Sequence, residues 1–182
     1  MRITVLVGSP RKGGNTEALA DALVEGIRGV GGEATVYPLR GKKIGPCLSC
    51  DYCMSHDHCV LKDDMAEVYA LMEQTDVLVF ASPVYFYGMS AQLAALIDRF
   101  HNPVRERFPI RATAVLGVCA DEPQRTFAPM LATFAAIEEY LGWQRLGEVT
   151  ATGVENKGDI AGHEALKRAR ALGEKVGAYR AL

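Results

Sequence analysis

The chain of 182 residues has no long apolar run, no surplus of one charge, no internal repeat and no low-complexity linker. No stretch approaches the roughly 20 apolar residues of a spanning helix, so no membrane span is expected. The N-terminal run from Ile3 to Val7 has only a strand's length and passes into glycine, proline and charge. A secretory signal needs a longer apolar core and a small-residue cleavage site, so a cytoplasmic protein is expected. Net charge is −2 with the signs mixed, and no basic face marks a nucleic-acid partner. With 49% apolar and 23% charged residues the composition is that of a globular protein. The length suits one good core and is short for two, so one domain over residues 1–182 is expected.

Cysteine is the residue that stands out. Four of five lie in GPCLSCDYCMSHDHC, residues 45 to 59, beside His56 and His58. Thiols stay reduced in a cytoplasm, which argues against structural disulfides. The pattern C-x2-C-x2-C-x5-C suits a compact iron–sulfur ligand run, in which one loop wraps a cluster. Zinc more often takes two separated ligand pairs, although His56 and His58 could complete such a site. An iron–sulfur cluster, zinc, a redox-active disulfide and unligated thiols therefore stay open on spacing alone. The two histidines read as exposed loop residues, and Cys119 reads as a small packing residue.

Along the chain, Arg2 to Val7 reads as a buried strand. From Asn15, Leu19, Leu23 and Ile27 recur at helical spacing until Gly29, Gly31 and Gly32 stop the pattern. Ala34 to Leu39 is a second strand. Beyond the cysteine loop at 45–62, Asp63 or Asp64 caps a helix through Val68, Leu71 and Met72. Asp76 to Ala81 is a third strand, Ser90 to Phe100 a helix and Ala112 to Val118 a fourth strand. A long helix follows over Arg125 to Leu141, then a fifth strand over Trp143 to Thr150, which Gly147 interrupts. Gly158 to Arg180 is expected as the last helix. Strands alternating with helices predict an α/β doubly wound parallel sheet with helices on both faces. Ligands of such sheets bind outside the carboxyl ends of the strands, which selects the loops 8–15, 40–62, 82–89 and 119–124.

The loop GSPRKGGNT, residues 8 to 16, matches neither the dinucleotide fingerprint nor the Walker motif. Gly14 and Asn15 stand where Lys-Ser/Thr would be needed. It reads instead as a simple phosphate cradle, with Ser9, Asn15 and Thr16 as hydrogen-bonding side chains and a helix N-terminus behind them. Arg11 or Lys12 could cover the anion. A plain helix cap and tight turn is the alternative. ASPVYFYGMS, residues 81 to 90, puts Val84, Tyr85, Phe86, Tyr87 and Met89 where a connection should meet solvent. Such aromatics suit a planar ligand, a subunit contact, or packing under the loop.

Together, GSPRKGGNT, the cysteine run followed by LKDDM, and ASPVYFYGMSAQLAALIDR resemble the flavodoxin-like NAD(P)H-dependent FMN reductases, in particular their iron–sulfur flavoprotein branch. The resemblance runs from Met1 to about Gly158. It implies a flavodoxin-like five-stranded sheet of order 2-1-3-4-5 and one FMN per chain. It places Ser9, Arg11, Asn15 and Thr16 on the FMN phosphate and Pro83, Val84, Tyr85 and Phe86 along the isoalloxazine. Cys119, Ala120 and Asp121 fall near the other edge of the ring. It also implies a 4Fe-4S cluster on Cys47, Cys50, Cys53 and Cys59. Relatives commonly carry a lysine in the segment aligned with Gln92 to Ala95. Ala94 and Ala95 stand here instead, so any nucleotide or subunit contact made through that lysine is missing.

The implied activity is electron transfer between a soluble donor, ferredoxin or NAD(P)H, and a small acceptor such as oxygen, peroxide or a quinone. No Ser-His-Asp or Cys-His grouping is present, and no catalytic side chain is assigned. A metal-free NAD(P)H:FMN or quinone reductase and a redox-sensing binding module are the alternatives. The aromatics at 84–89 lead to the expectation of a homodimer or homotetramer.

Overall fold

The structure is a computed structural model and describes residues 1–180. Its strands are β1 (Ile3–Val7), β2 (Ala34–Pro38), β3 (Val77–Pro83), β4 (Ala112–Val118) and β5 (Gln144–Ala151). All pair in parallel in the order β2-β1-β3-β4-β5, as expected. The helices are α1 (Asn15–Gly29), α2 (Met65–Met72), α3 (Ala91–Asp98), α4 (Ala128–Leu141) and α5 (Glu164–Ala178).

Alternate strand residues enter two separate cores, because successive side chains point to opposite faces. Val5, Val79, Ala114 and Leu116 pack with α1 and α5. Leu6, Leu78, Phe80 and Val115 pack with α2, α3 and α4. Every residue of β1, β3 and β4 is buried, which accounts for strand sequences that are continuously apolar.

Besides shifts of one or two residues at other ends, the structure differs from the periodicity reading in three places. The last helix begins at Glu164, not at Gly158. Gly158 (φ +98°) and Gly162 (φ +75°) hold left-handed turns there, and the His163 ring accepts the Ala165 N–H as the cap. The segment before α4 is a separate 3-10 turn, Gln124–Phe127, and Pro129 sits in the first turn of α4, where a missing N–H costs nothing. In β5 a bulge sets Leu146 outside the register, between Arg145 opposite Thr113 and Gly147 opposite Ala114. Gly147 belongs there because a Cβ would lie 2.8 Å from Leu172 of α5.

The α1–α5 contact depends on glycine at two facing positions. A Cβ on Gly26 would overlap the backbone of Arg170, and one on Gly173 would overlap the carbonyl of Leu23. Gly173→Ala is expected to lower stability by about 3 kcal/mol, read as a fall in the urea midpoint. Gly29→Ala, where no atom lies within 4 Å, should be neutral or stabilising by up to about 1 kcal/mol.

Candidate functional site

The loops after β1 and β3 leave the sheet where the winding reverses, and between them they open a groove. Ser9, Arg11, Asn15, Thr16, Pro83, Val84, Tyr85, Cys119 and Ala120 line a cavity of about 160 Å³. An adjoining cavity of about 220 Å³ is lined by Val84, Phe86, Tyr87, Cys119, Ala120, Asp121 and Thr126. The residues that the resemblance placed around FMN thus all fall on one continuous surface, whereas Lys12 and Met89 line neither cavity.

Behind the first cavity stands the N-terminus of α1. Gly14 is its cap position, and no side chain caps it among the described residues. The first-turn N–H groups of Asn15 and Thr16 have no intrahelical acceptor, and the positive end of the helix dipole lies with them. The Glu17 carboxylate accepts the Gly13 N–H at 2.7 Å, which ties down the turn just before the helix. Asn15 does more than line the groove. Its Nδ2 donates to the Asn156 carbonyl at 2.8 Å, and its Oδ1 accepts the Gly158 N–H at 3.1 Å. Arg11 donates to the Glu155 carbonyl at 2.9 Å.

The segment after β5 therefore forms a wall that sequence reasoning missed. Val154 and Glu155 line the cavity, beside Val118 at the end of β4, and the Lys157 ammonium lies 3.1 Å from where a Gly13 Cβ would sit. The signal was available: residues 152–163 follow a parallel strand at the same carboxyl edge as the selected loops.

The aromatic loop is strained. Tyr85 and Gly88 exchange backbone hydrogen bonds at 3.0 and 3.1 Å around a two-residue turn. Its central residues, Phe86 (φ +47°) and Tyr87 (φ +67°), are both left-handed, where Asn-Gly would be preferred. Left-handed backbone costs a non-glycine residue roughly 1–2 kcal/mol. Phe86 is 101% exposed at the tip. Ser90 anchors the far end, donating its N–H to Ser82 Oγ at 2.9 Å and capping α3. Opposite, the Cys119 thiol donates to the Asp121 carbonyl at 3.3 Å. Burial, with Asp121 beside it, pushes that thiol up to about 11, so it is neutral near pH 7 and suited to packing. Thr126 donates to Asp121 Oδ2 at 3.1 Å and holds that carboxylate on the rim.

The cysteine loop lies apart from this groove. Of its thiols, Cys59 lines a third cavity, of about 500 Å³, which shares no lining residue with the first two. Two sets of bonds clamp the neck of the loop. Lys43 N–H donates to Asp64 Oδ2 at 2.6 Å, and Asp64 N–H returns to the Lys43 carbonyl at 3.0 Å. Asp63 Oδ2 accepts the Gly45 N–H at 3.1 Å and Arg99 Nη1 at 2.7 Å, while Arg99 Nη1 also donates to the Gly45 carbonyl at 3.1 Å. Cys47 N–H reaches Asp98 at 2.7 Å. Within the loop, Ser49 and Asp51 are left-handed, and Tyr52 stacks on His56 at 3.7 Å between centroids. His56 and His58 are exposed and bonded to loop neighbours, as their sequence position suggested.

Among the described residues, no three His, Cys, Asp or Glu side chains converge as a metal-holding group. The donor chemistry nevertheless fits a thiophilic group, since four thiols share one clamped loop. Burial raises the Cys53 thiol, and Cys59, Cys47 and Cys50 are near enough to raise it further.

Comparison with known proteins matches residues 1–151 to the family described as NADPH-dependent FMN reductase. The chain belongs to that family, whose members are FMN-dependent oxidoreductases. An iron-sulfur flavoprotein of Methanocaldococcus jannaschii is 31% identical over 97% of this chain and 95% of that one. An iron-sulfur flavoprotein of Archaeoglobus fulgidus is 42% identical over 53% of this chain and 49% of its own length, so the chain spans about half of that relative. The solved NAD(P)H:quinone oxidoreductase of Methanothermobacter marburgensis covers 100% of the chain at a TM-score of 0.80 and 19% identity, a likeness of fold.

In this member of the FMN reductase family, the neck of the loop carries a pH signature. Burial alone would raise the Asp63 carboxyl, but Arg99 and the Gly45 N–H outweigh it and hold it below the ordinary 3.8. The ion pair thus contributes fully above the ordinary carboxylate pKa and is lost as pH falls through the depressed folded value. Asp63→Asn is expected to cost about 3 kcal/mol at pH 7. In thermal melts against pH, the gap between variant and parent should close in acid below 3.8.

Proposed function

We propose that the chain is an FMN-dependent oxidoreductase that passes electrons from ferredoxin or a reduced nicotinamide nucleotide to a small acceptor, with a 4Fe-4S cluster on Cys47, Cys50, Cys53 and Cys59. The observation that carries the flavin part is the uncapped N-terminus of α1 opening into a groove walled by both switch-point loops. In this reading Ser9, Thr16 and the first-turn N–H groups receive the FMN phosphate. Arg11 supplies the charge, held in place by the Glu155 carbonyl, and Asn15 fixes the 156–160 turn beside it. Pro83, Val84, Tyr85 and Phe86 cover the isoalloxazine on one side, and Cys119, Ala120 and Asp121 lie along the other.

Bound FMN supplies exchange of a hydride or of single electrons, and a cluster supplies one electron at a time. The protein's residues bind, orient and shield the flavin, and no side chain is asked to act as acid, base or nucleophile. Cys119, neutral and bonded to Asp121, donates no thiolate to the groove. The cluster part is supported by the four-thiol donor set and by the relatives' names. The exposed Phe86 and Tyr87 support a homodimer or homotetramer, in which this tip meets a second copy. A metal-free flavin or quinone reductase is the second reading, supported by the observation that no three His, Cys, Asp or Glu side chains among the described residues converge on a metal position.

Iron and acid-labile sulfide per FMN, measured on protein purified without oxygen, separate the two readings. About four of each, with visible absorbance that bleaches on reduction, is the expected result. Flavin alone gives the metal-free reductase. For the groove, Arg11→Ala is expected to weaken FMN about tenfold, roughly 1.4 kcal/mol, in a fluorescence titration. Riboflavin, which lacks the phosphate, should bind both proteins alike.

A further inference from the structure

FMN ends in a phosphomonoester, whose charge near pH 7 is about −1.5 to −2. Against it the groove sets Arg11 and the N-terminus of α1, the latter equivalent to about half a positive charge. Two carboxylates subtract from that sum. Glu17 accepts the Gly13 N–H, and Glu155 stands on the cavity wall. With Arg11 alone, the phosphate end of the groove is short of positive charge. Lys12, the other cation of the same loop, is exposed and lines neither cavity.

A further cation arrives from the segment after β5. The Lys157 side chain lies across the phosphate loop, with Nζ 3.1 Å and Cε 3.2 Å from the position of a Gly13 Cβ. The backbone that carries it is fixed on both sides. Asn15, buried at the start of α1, donates to the Asn156 carbonyl at 2.8 Å and accepts the Gly158 N–H at 3.1 Å. Asp159 Oδ2 accepts the N–H groups of Glu155 and Asn156 at 3.1 and 2.6 Å, which closes the turn. Neither Arg11 nor Lys157 enters an ion pair among the described residues. Two cations and a positive helix end thus share one loop without a paired carboxylate, an arrangement that repels itself until an anion is bound. Gly13 permits it. Its φ is +62°, and any side chain there would press on the ammonium.

We propose that Lys157 supplies the second positive charge for the FMN phosphate, acting across Gly13. Arg11 then meets the phosphate directly, braced by the Glu155 carbonyl. Lys157 is exposed and stands outside the cavity wall, so it acts by charge at longer than hydrogen-bond range and is open to screening by salt. It is a positioning residue that favours the dianion. The inference rests on the flavin reading above and adds to its phosphate site a residue from beyond the last strand.

Flavin-stripped protein, titrated with FMN and with riboflavin, tests it. Lys157→Gln removes the charge and keeps most of the side chain. It is expected to weaken FMN about fivefold at low salt, the upper end for an exposed charge pair, and to leave riboflavin unchanged. The loss should shrink at an ionic strength of about 1 M, where screening acts within about 3 Å. Equal losses of FMN and riboflavin would assign Lys157 to the shape of the wall and overturn the proposal. A larger loss of FMN in Lys12→Gln than in Lys157→Gln would overturn it as well. A second measurement needs no variant. In the wild-type protein, FMN should slow acetylation of Lys157, read by mass spectrometry, and riboflavin should not; equal rates with both overturn the proposal. Wild-type protein with no affinity for FMN overturns the flavin reading itself. FMN bound, with the Lys157→Gln titration unmoved, overturns only the assignment of Lys157.

Discussion

A parallel sheet buried on both faces can meet a ligand only at the ends of its strands. Each strand in β1, β3 and β4 is sealed between α1 and α5 on one side and α2, α3 and α4 on the other. The polar and strained residues of the site are therefore crowded along one edge. Ser9 and Thr16 come from the exit of β1, Tyr85 and Phe86 from the exit of β3, and Cys119 and Asp121 from the exit of β4. Apart from Cys119, which is also part of the core beside α2, α3 and α4, these residues lie outside the two cores and are free to be aromatic, left-handed or uncapped.

The same separation explains how the chain carries a second, independent device. The cysteine loop is an excursion from β2 to α2, and the interior gives it little help, since its thiols are half-buried or exposed. What defines it is its neck. One carboxylate, Asp63, joins Gly45 at the start of the loop to Arg99 at the end of α3. Breaking a buried pair leaves an uncompensated charge, so the neck is stiff although the loop beyond it is solvated. Ser49 and Asp51, both at positive φ, then turn the chain between Cys47 and Cys53.

Strain and desolvation accumulate at the groove. Phe86 and Tyr87 hold a backbone that glycine would adopt freely, and Phe86 shows its whole ring to solvent. Neither choice favours the isolated chain. Both make sense where a rigid apolar tip must be presented to a flat ligand or to a second subunit. Cys119 is the opposite case, a thiol kept neutral by burial and used as a small wall.

The residues spoke for themselves wherever chemistry is local. Continuous apolar runs set the strands, the periodicity of Leu19, Leu23 and Ile27 set α1, and the cysteine spacing marked its loop. The loop rule found three sides of the groove because each of those loops carries an unusual run of residues. Contacts between residues far apart in sequence were not legible. The wall at 154–157 looks like an ordinary turn until Asn15 is seen bonded across to Asn156 and Gly158. The start of α5 was obscured because glycines at positive φ, not a change in polarity, end the turn before it. Arg99 reads as one charge at the end of an amphipathic helix. Only the packed fold removes it from water, pairs one of its nitrogens with Asp63 and leaves two buried without a partner among the described residues. Sequence patterns report which face of an element is apolar; which polar atoms are left without water or a partner is decided by the elements packed around them.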